Sequence, residues 1–328
     1  MKRRTLIQAG IATLSIAGTR TWAQQNYPSR VIRLINPFPA GGTADVVGRK
    51  VAEMLTVRLG QPVIVENKAG ANGAIGTAEV ARAPADGYTL GIAIADSVIS
   101  VASLVKKPGY DVRKDLTPLF QVMEGQMVLF ANRQLGVKSL RELCQAARAN
   151  PGKITFGSWG TGTAVHQIMV ILERSAGVSF LHVPYKGAAP AFQDIVGNNI
   201  NITAGPPALV AQYVQKGYAQ PLAVQGAARS GLLPDVPTYK EQGVDAPLLQ
   251  TTPWIGLVAP KGLPVEVQMR LVSALNDVCR TPDYEKFLNT SIGGARPTLK
   301  EPAPFARDIA VEFAMTNDLL RSMGVEPQ

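Results

Sequence analysis

The sequence predicts an α/β fold of two lobes, each a wound sheet flanked by helices. Short β-branched segments alternate along the chain with segments whose apolar residues recur at helical spacing. A strand, a glycine-rich turn and a helix start follow one another near residues 31–47 and again near 154–172. Two extended stretches, 119–132 and 254–258, lie where the chain would cross between lobes. The repeated unit and the two crossings together predict the two-lobed arrangement.

The first half has the order βαβαβ. A buried strand at 31–35 leads through its turn into a helix, and a second buried strand follows at 63–66. Residues 74–83 have the pattern of a helix, and residues 88–95 have that of a third strand. Because strands joined through helices run parallel, this order predicts a parallel sheet.

The second half repeats this pattern. A helix at 140–149 ends at Asn150-Pro151-Gly152 and is followed by the strand of the second glycine-rich unit. Three further βα units, a return strand and two closing helices are predicted beyond it. The strands are at 180–183, 200–203, 222–224 and 254–258, and the helices begin at Pro264 and Pro304. We assign 24–124 and 253–328 to lobe 1, and 125–252 to lobe 2.

The first 23 residues have the features of an export signal. Lys2-Arg3-Arg4 forms a basic segment, a short apolar stretch follows, and Thr21-Trp22-Ala23 offers a cleavage site before Gln24. Arg3 to Ile7 also fits a twin-arginine signal. A mitochondrial-type presequence is the alternative. Export implies a periplasmic protein.

Composition and charge narrow the function classes. Removal of the signal takes away four positive charges and lowers the formal net charge from +9 to +5. That charge is spread along the chain without a basic run, which argues against nucleic-acid binding. The spacing of Cys144 and Cys279 matches no metal or redox motif, so they are two buried thiols or one disulfide. With only His166 and His182, a histidine-rich metal site is ruled out.

The first glycine-rich turn, Asn36 to Asp45, has the chemistry of an anion receptor. Glycines let backbone N–H groups approach a ligand, and a helix start adds unpaired donors and the positive end of its dipole. Such a turn can hold a small anion. The alternative is that Gly41-Gly42 only makes a tight βα turn, with Thr43 or Asp45 capping the helix.

Several motifs resemble one known family in their order along the chain. The resemblance runs from about Tyr27 to the C-terminus, and its motifs are 27–35, 37–47, 60–68, 70–76, 86–90, 158–166, 183–187, 234–238 and 254–257. The chain resembles the Bug family, the periplasmic solute-binding proteins of the tripartite tricarboxylate transporter type. The resemblance implies a two-lobed, type II (Venus-flytrap) periplasmic-binding-protein fold without enzymatic activity or cofactor.

The resemblance also implies a ligand site between the two turns. The ligand, a small organic carboxylate or amino acid, would be held mostly by backbone amides, hydroxyls and bridging waters. The implied residues are Phe38, Ala40, Gly42, Thr43 and Asp45 in the first jaw; Ser158, Gly160, Thr161, Gly162, Thr163 and His166 in the second; and Tyr185 with Lys186 at the rim. For His166 the alternative is a packing histidine, and for Lys186 it is a solvated loop lysine.

Two positions depart from the family pattern. Ala204 stands where relatives often carry an acidic residue, and Asp96 stands where they have a small hydroxyl or glycine residue. An Asp96 that faces the cleft would favour a ligand with an ammonium or another hydrogen-bond donor, and would oppose a second carboxylate. The alternative is that Asp96 caps the helical segment 97–104.

The sequence and the resemblance leave three functions to distinguish. In the first, a monomer captures a small carboxylate and docks on membrane permease subunits of a tripartite transporter. In the second, the closed protein signals to a membrane kinase. The third is an enzyme, which the sequence disfavours, because Phe156 replaces the first glycine of the hydrolase elbow Gly-x-Ser-x-Gly and neither histidine lies in a hydrolase context.

Overall fold

A computed structural model describes residues 27–324, so the predicted signal segment 1–23 lies outside the described residues. The strands are β1 Ile32–Asn36, β2 Val63–Asn67, β3 Thr89–Ala93, β4 Leu116–Glu124, β5 Val128–Asn132, β6 Thr155–Ser158, β7 Leu181–Pro184, β8 Ile202–Gly205, β9 Ala219–Val224, β10 Trp254–Pro260 and β11 Arg296–Lys300.

The helices are α1 Thr43–Leu59, α2 Ala74–Arg82, α3 Val101–Leu104, α4 Val112–Asp115, α5 Leu140–Ala149, α6 Ala164–Ala176, α7 Ala188–Val196, α8 Pro207–Gln215, α9 Pro247–Gln250, α10 Val265–Cys279, α11 Pro282–Ser291 and α12 Pro302–Ser322. A turn of π-helix, Asp96–Ser100, runs directly into α3. Helix α11 and strand β11 were not predicted from the sequence.

The strands form two mixed sheets rather than purely parallel ones. The first has the order β11-β4-β10-β3-β1-β2, with β1 parallel to β2 and β3. The second has the order β7-β6-β8-β5-β9, with β6 parallel to β7 and β8. The chain reaches β5 directly from β4 and reaches β10 after the short helix α9, and both strands run antiparallel to both their neighbours. The parallel pairing predicted from the βαβαβ order of the first half is confirmed for β1, β2 and β3, and the antiparallel strands lie outside that prediction.

Each sheet has its own hydrophobic core. Residues such as Val47, Leu90 and Leu271 pack together on the first sheet, and Leu143, Phe156 and Leu172 pack on the second. Cys279 lies in the first core and Cys144 in the second, and both are free thiols. The structure therefore selects two buried thiols over a disulfide.

Two crossings and one helix connect the sheets. The crossings lie side by side, because the Gly125 N–H donates to the Pro253 carbonyl (2.7 Å) and the Gln225 N–H to that of Met127 (2.8 Å). Helix α12 starts on the first sheet and ends against the second lobe, where the Arg174 guanidinium donates to Ser322 Oγ at 2.6 Å. Between residues 27 and 324, none of the helices combines the length and apolar character that a membrane span requires.

Candidate functional site

A cavity of about 510 Å³ lies between the two sheets. Its wall takes residues from both lobes and from the crossings. They include Gly41, Thr43, Ala44, Ile94, Asp96 and Ser100 on one side, Trp159, Ala164, Gln167, Ile168 and Pro206 to Leu209 on the other, and Gln126, Gln225, Thr251, Trp254 and Glu312 near the crossings. Both glycine-rich turns, or the helices that follow them, therefore border one shared space.

Three helices begin at this cavity, and their N-termini carry no side-chain cap. They are α1 after Gly42, α6 after Thr163 and α8 after Pro206. In α1 the Gly42 carbonyl accepts from the N–H of Val46, so the earlier N–H groups have no partner within the helix. Aligned N–H groups and helix dipoles favour a negative charge here. Capping of α1 by Thr43 or Asp45, the alternative in the sequence reading, is not what the structure shows.

Asp45 holds the first turn in place. Its carboxylate accepts from the Gly41 N–H (3.0 Å), Arg49 Nε (3.0 Å) and Asn67 Nδ2 (2.8 Å). Burial acts to raise the pKa of Asp45, but these hydrogen bonds outweigh it and hold the pKa far below the usual range. The carboxylate thereby fixes Gly41, whose φ of +83° favours glycine, at the cavity wall.

The second turn is anchored by a buried polar cluster. The Gly162 N–H donates to His166 Nδ1 (2.9 Å), and Ser158 Oγ lies 2.7 Å from His182 Nε2. The two imidazole rings stack with centroids 3.9 Å apart. Burial, together with the neighbouring ring, lowers the pKa of His166 to about 4, so both rings are neutral near pH 7. This cluster holds the turn in its conformation and lies outside the cavity wall.

Of the residues predicted for the site, Thr43 and Asp96 line the cavity. The others lie outside its wall, and ligand contact through them stays a prediction: Phe38, Ala40, Gly42, Asp45, Ser158, Gly160, Thr161, Gly162, Thr163, His166, Tyr185 and Ala204. Phe38 packs towards Gly73, Ala204 is fully buried in β8, and the Tyr185 hydroxyl donates to Asp194 Oδ2 at 2.5 Å. Lys186 is exposed.

Asp96 does not cap a helix. The helical turn begins after Ala95, and Asp96 is its first residue, without a side-chain capping bond. Burial raises the pKa of Asp96 to about 6. Glu312 on α12 borders the same cavity and accepts from Trp254 Nε1 (2.7 Å). Its pKa is raised to about 7, first by burial and also by the charge of Asp96.

Several residues of the cavity wall were not predicted from the sequence. Gln126 and Gln225 come from the crossings, Gln167 from the first turn of α6, and Glu312 from the last helix. For Gln167 a signal was present, because it is three residues past the helix start and so shares its face with Ala164. Nothing local marks Glu312, which reaches the cavity only because α12 packs across the first sheet.

Comparison with known proteins gives the family. A model described as "Tripartite tricarboxylate transporter family receptor" matches residues 47–324. The chain belongs to this family. It is 32% identical to BugT of Bordetella pertussis over 96% of this chain and 95% of BugT. It is 36% identical to a Cupriavidus necator protein over 87% of this chain and 86% of that one.

Solved structures place this family member among two-lobed periplasmic binding proteins. The periplasmic binding protein BugD is similar with a TM-score of 0.77 and 32% identity, over 92% of this chain and all of BugD. An R. palustris protein with adipate is similar with a TM-score of 0.80 and 29% identity, over 92% of this chain and 100% of that one. MatC of Rhodopseudomonas palustris, with bound malate, is similar with a TM-score of 0.75 and 26% identity, over 90% of this chain and 100% of MatC. The chain is a solute-binding protein of the Bug type, and this class is not enzymatic.

Proposed function

We propose that this chain is a periplasmic, monomeric receptor that captures a small carboxylate-bearing ligand between its lobes. It then delivers the ligand to the permease subunits of a tripartite tricarboxylate-type transporter. One observation carries the proposal: three uncapped helix N-termini border a single cavity whose described wall contains no lysine, arginine or histidine. Backbone N–H groups and dipoles are then the groups that hold the anion.

The printed ligands of two similar structures support the ligand class, since one holds adipate and the other malate. The family description supports the partner class. For location, the support is the basic and apolar leader, with its twin-arginine pattern, together with the periplasmic relatives. The proposed lobe boundaries are those of the sequence reading, 24–124 with 253–328 and 125–252.

The test removes single N–H groups at the starts of two helices; at Thr43 the side-chain hydroxyl is removed together with the N–H, whereas Ala164 has no polar side chain to lose. Proline suits the first residue of a helix and lacks the N–H. Thr43→Pro in α1 and Ala164→Pro in α6 each delete one donor at the cavity. Each should weaken carboxylate binding roughly 10- to 100-fold, because a hydrogen bond to a charged group contributes about 1.5 to 3 kcal/mol.

Val265→Pro is the matched control. It changes the first residue of α10, which is exposed and outside the cavity. Affinity is measured by intrinsic fluorescence, since Trp159 and Trp254 both line the cavity. Adipate, malate and the acid found by mass spectrometry of the purified protein are the probes. Equal affinity in all three variants would contradict the proposal, and ligand uptake into permease vesicles without this chain would contradict the delivery step.

A further inference from the structure

The cavity wall carries more hydrogen-bond acceptors than a simple carboxylate ligand needs. Asp96 and Glu312 are the ionisable side chains of the described wall, and both are carboxylic acids. The Asp96 carboxylate has no hydrogen-bond partner within residues 27–324, and one Glu312 oxygen accepts from Trp254. A second carboxylate of a ligand would meet the charge of Asp96 and the partial charge of Glu312, which is unfavourable.

Ser100, one helical turn after Asp96, provides a second, independent observation. Ser100 is 1% exposed and lines the cavity, and its Oγ has no hydrogen-bond partner among the described residues. The side-chain oxygen of Gln225, a residue 7% exposed, is likewise buried without a partner, while its nitrogen donates to Leu248 O (3.1 Å). Buried polar groups are rarely left unpaired in native proteins. The Gln225 oxygen can only accept and the Ser100 hydroxyl can accept or donate, so together with the Asp96 carboxylate they suit a ligand that brings donors.

The part of the wall between these polar groups is apolar, with Ile94, Met123, Ile168 and Ile255. A ligand that fits has a carboxylate for the helix N-termini, a hydrocarbon body and a donor-rich cation for Asp96 and Ser100. We infer that the natural ligand class is an amino-carboxylic acid, whose ammonium is bound by Asp96 with Ser100 and by the field of Glu312. This inference rests on the proposed function and specifies its ligand.

Paired probes separate the two ligand classes. Adipate and 6-aminohexanoate are of similar length, and malate and aspartate differ mainly in a hydroxyl and an amine. The wild-type protein should bind 6-aminohexanoate at least tenfold more tightly than adipate. Asp96→Asn should remove that preference by weakening the amino acid and strengthening adipate, and Ser100→Ala should weaken the amino acid less. Asp277→Asn, at an exposed position on α10 outside the cavity, is the matched control.

Proton exchange gives a second readout. Near pH 6, an ammonium beside Asp96 favours its ionised form, so binding of 6-aminohexanoate releases protons. A second carboxylate would instead cause proton uptake. Calorimetry in two buffers of different ionisation enthalpy measures the sign, and Asp96→Asn should reduce the release. Glu312, with Asp308 and Lys300 near it, is the other titrating group of the wall. The Glu312→Gln variant shows how much of the proton release comes from Glu312.

The Asp96→Asn variant is expected to fold. Because Asp96 is half-buried and its carboxylate has no hydrogen-bond partner among residues 27–324, the amide should unfold at the same or a higher temperature than the unliganded wild type. Adipate bound as tightly as 6-aminohexanoate, with malate at least equal to aspartate, would overturn the inference and leave the proposed function standing. If no acid or amino acid of the panel is bound and none co-purifies, the proposed function fails as well.

Discussion

Gly162 is the position at which the second turn meets the first lobe, and its replacement tests the closed packing. Its φ is +81°, and an added Cβ would lie 2.4 Å from the buried Leu104 Cδ2 on α3. Gly162→Ala therefore has two costs. A left-handed backbone costs a non-glycine residue about 1 kcal/mol, and displacement of a packed leucine adds about 1 to 2 kcal/mol at the lower end of overpacking.

Two variants separate these costs. Gly152 also has a positive φ, +66°, but nothing lies within 4 Å of an added Cβ, so Gly152→Ala reports the backbone cost alone. In a Leu104→Ala background the clash is absent, and Gly162→Ala should then cost only about 1 kcal/mol. Urea unfolding at 25 °C gives the free energies. If Gly162→Ala costs no more than Gly152→Ala, or costs the same with Leu104 removed, the cross-lobe contact is not the cause.

Two further predictions concern the anchors of the turns. Asp45→Asn should lower the free energy of unfolding by about 2 to 3 kcal/mol and weaken ligand binding, because charge-assisted bonds to the first turn are lost; a loss under about 0.5 kcal/mol in urea unfolding would refute this. The pKa of His166 falls from 6.5 to about 4 on folding. Its contribution to the free energy of unfolding is therefore complete above pH 6.5 and is lost as the pH falls towards 4. The loss should reach about 3 kcal/mol at about 1.36 kcal/mol per pKa unit, and His166→Gln should remove most of that slope; an unchanged slope in urea unfolding across pH 4 to 6.5 would contradict the assignment.

The elements that depend only on neighbouring residues could be predicted from the sequence. The strand, glycine-rich turn and helix start of each lobe follow from β-branched runs, glycines and helical spacing, and α5 was predicted with its observed bounds. Helix α12 begins two residues before the predicted Pro304. The strand directions at β5 and β10 were not readable, because they depend on which lobe the chain enters.

The cavity was only half predictable for a similar reason. Thr43 and Asp96 follow strands of the first lobe, where α/β proteins place ligands, so position along the chain was informative. Glu312 and Gln225 reach the wall through packing between distant segments, whereas Ser100 lies one helical turn after Asp96. The glycine-rich motif of the second turn pointed to Gly162 and His166, whereas the wall is formed by the flanking Trp159 and Ala164.

The C-terminal helix constrains how the lobes can separate. The two crossings allow bending about one axis, but α12 adds a third link, whose end is fastened by Arg174 to Ser322 Oγ (2.6 Å) and to its carbonyl (2.9 Å). An opening rotation must either carry that helix end along or detach it from α6. If the ligand enters as the lobes separate, as proposed above, we expect Arg174→Ala to alter ligand exchange without a change in the cavity wall.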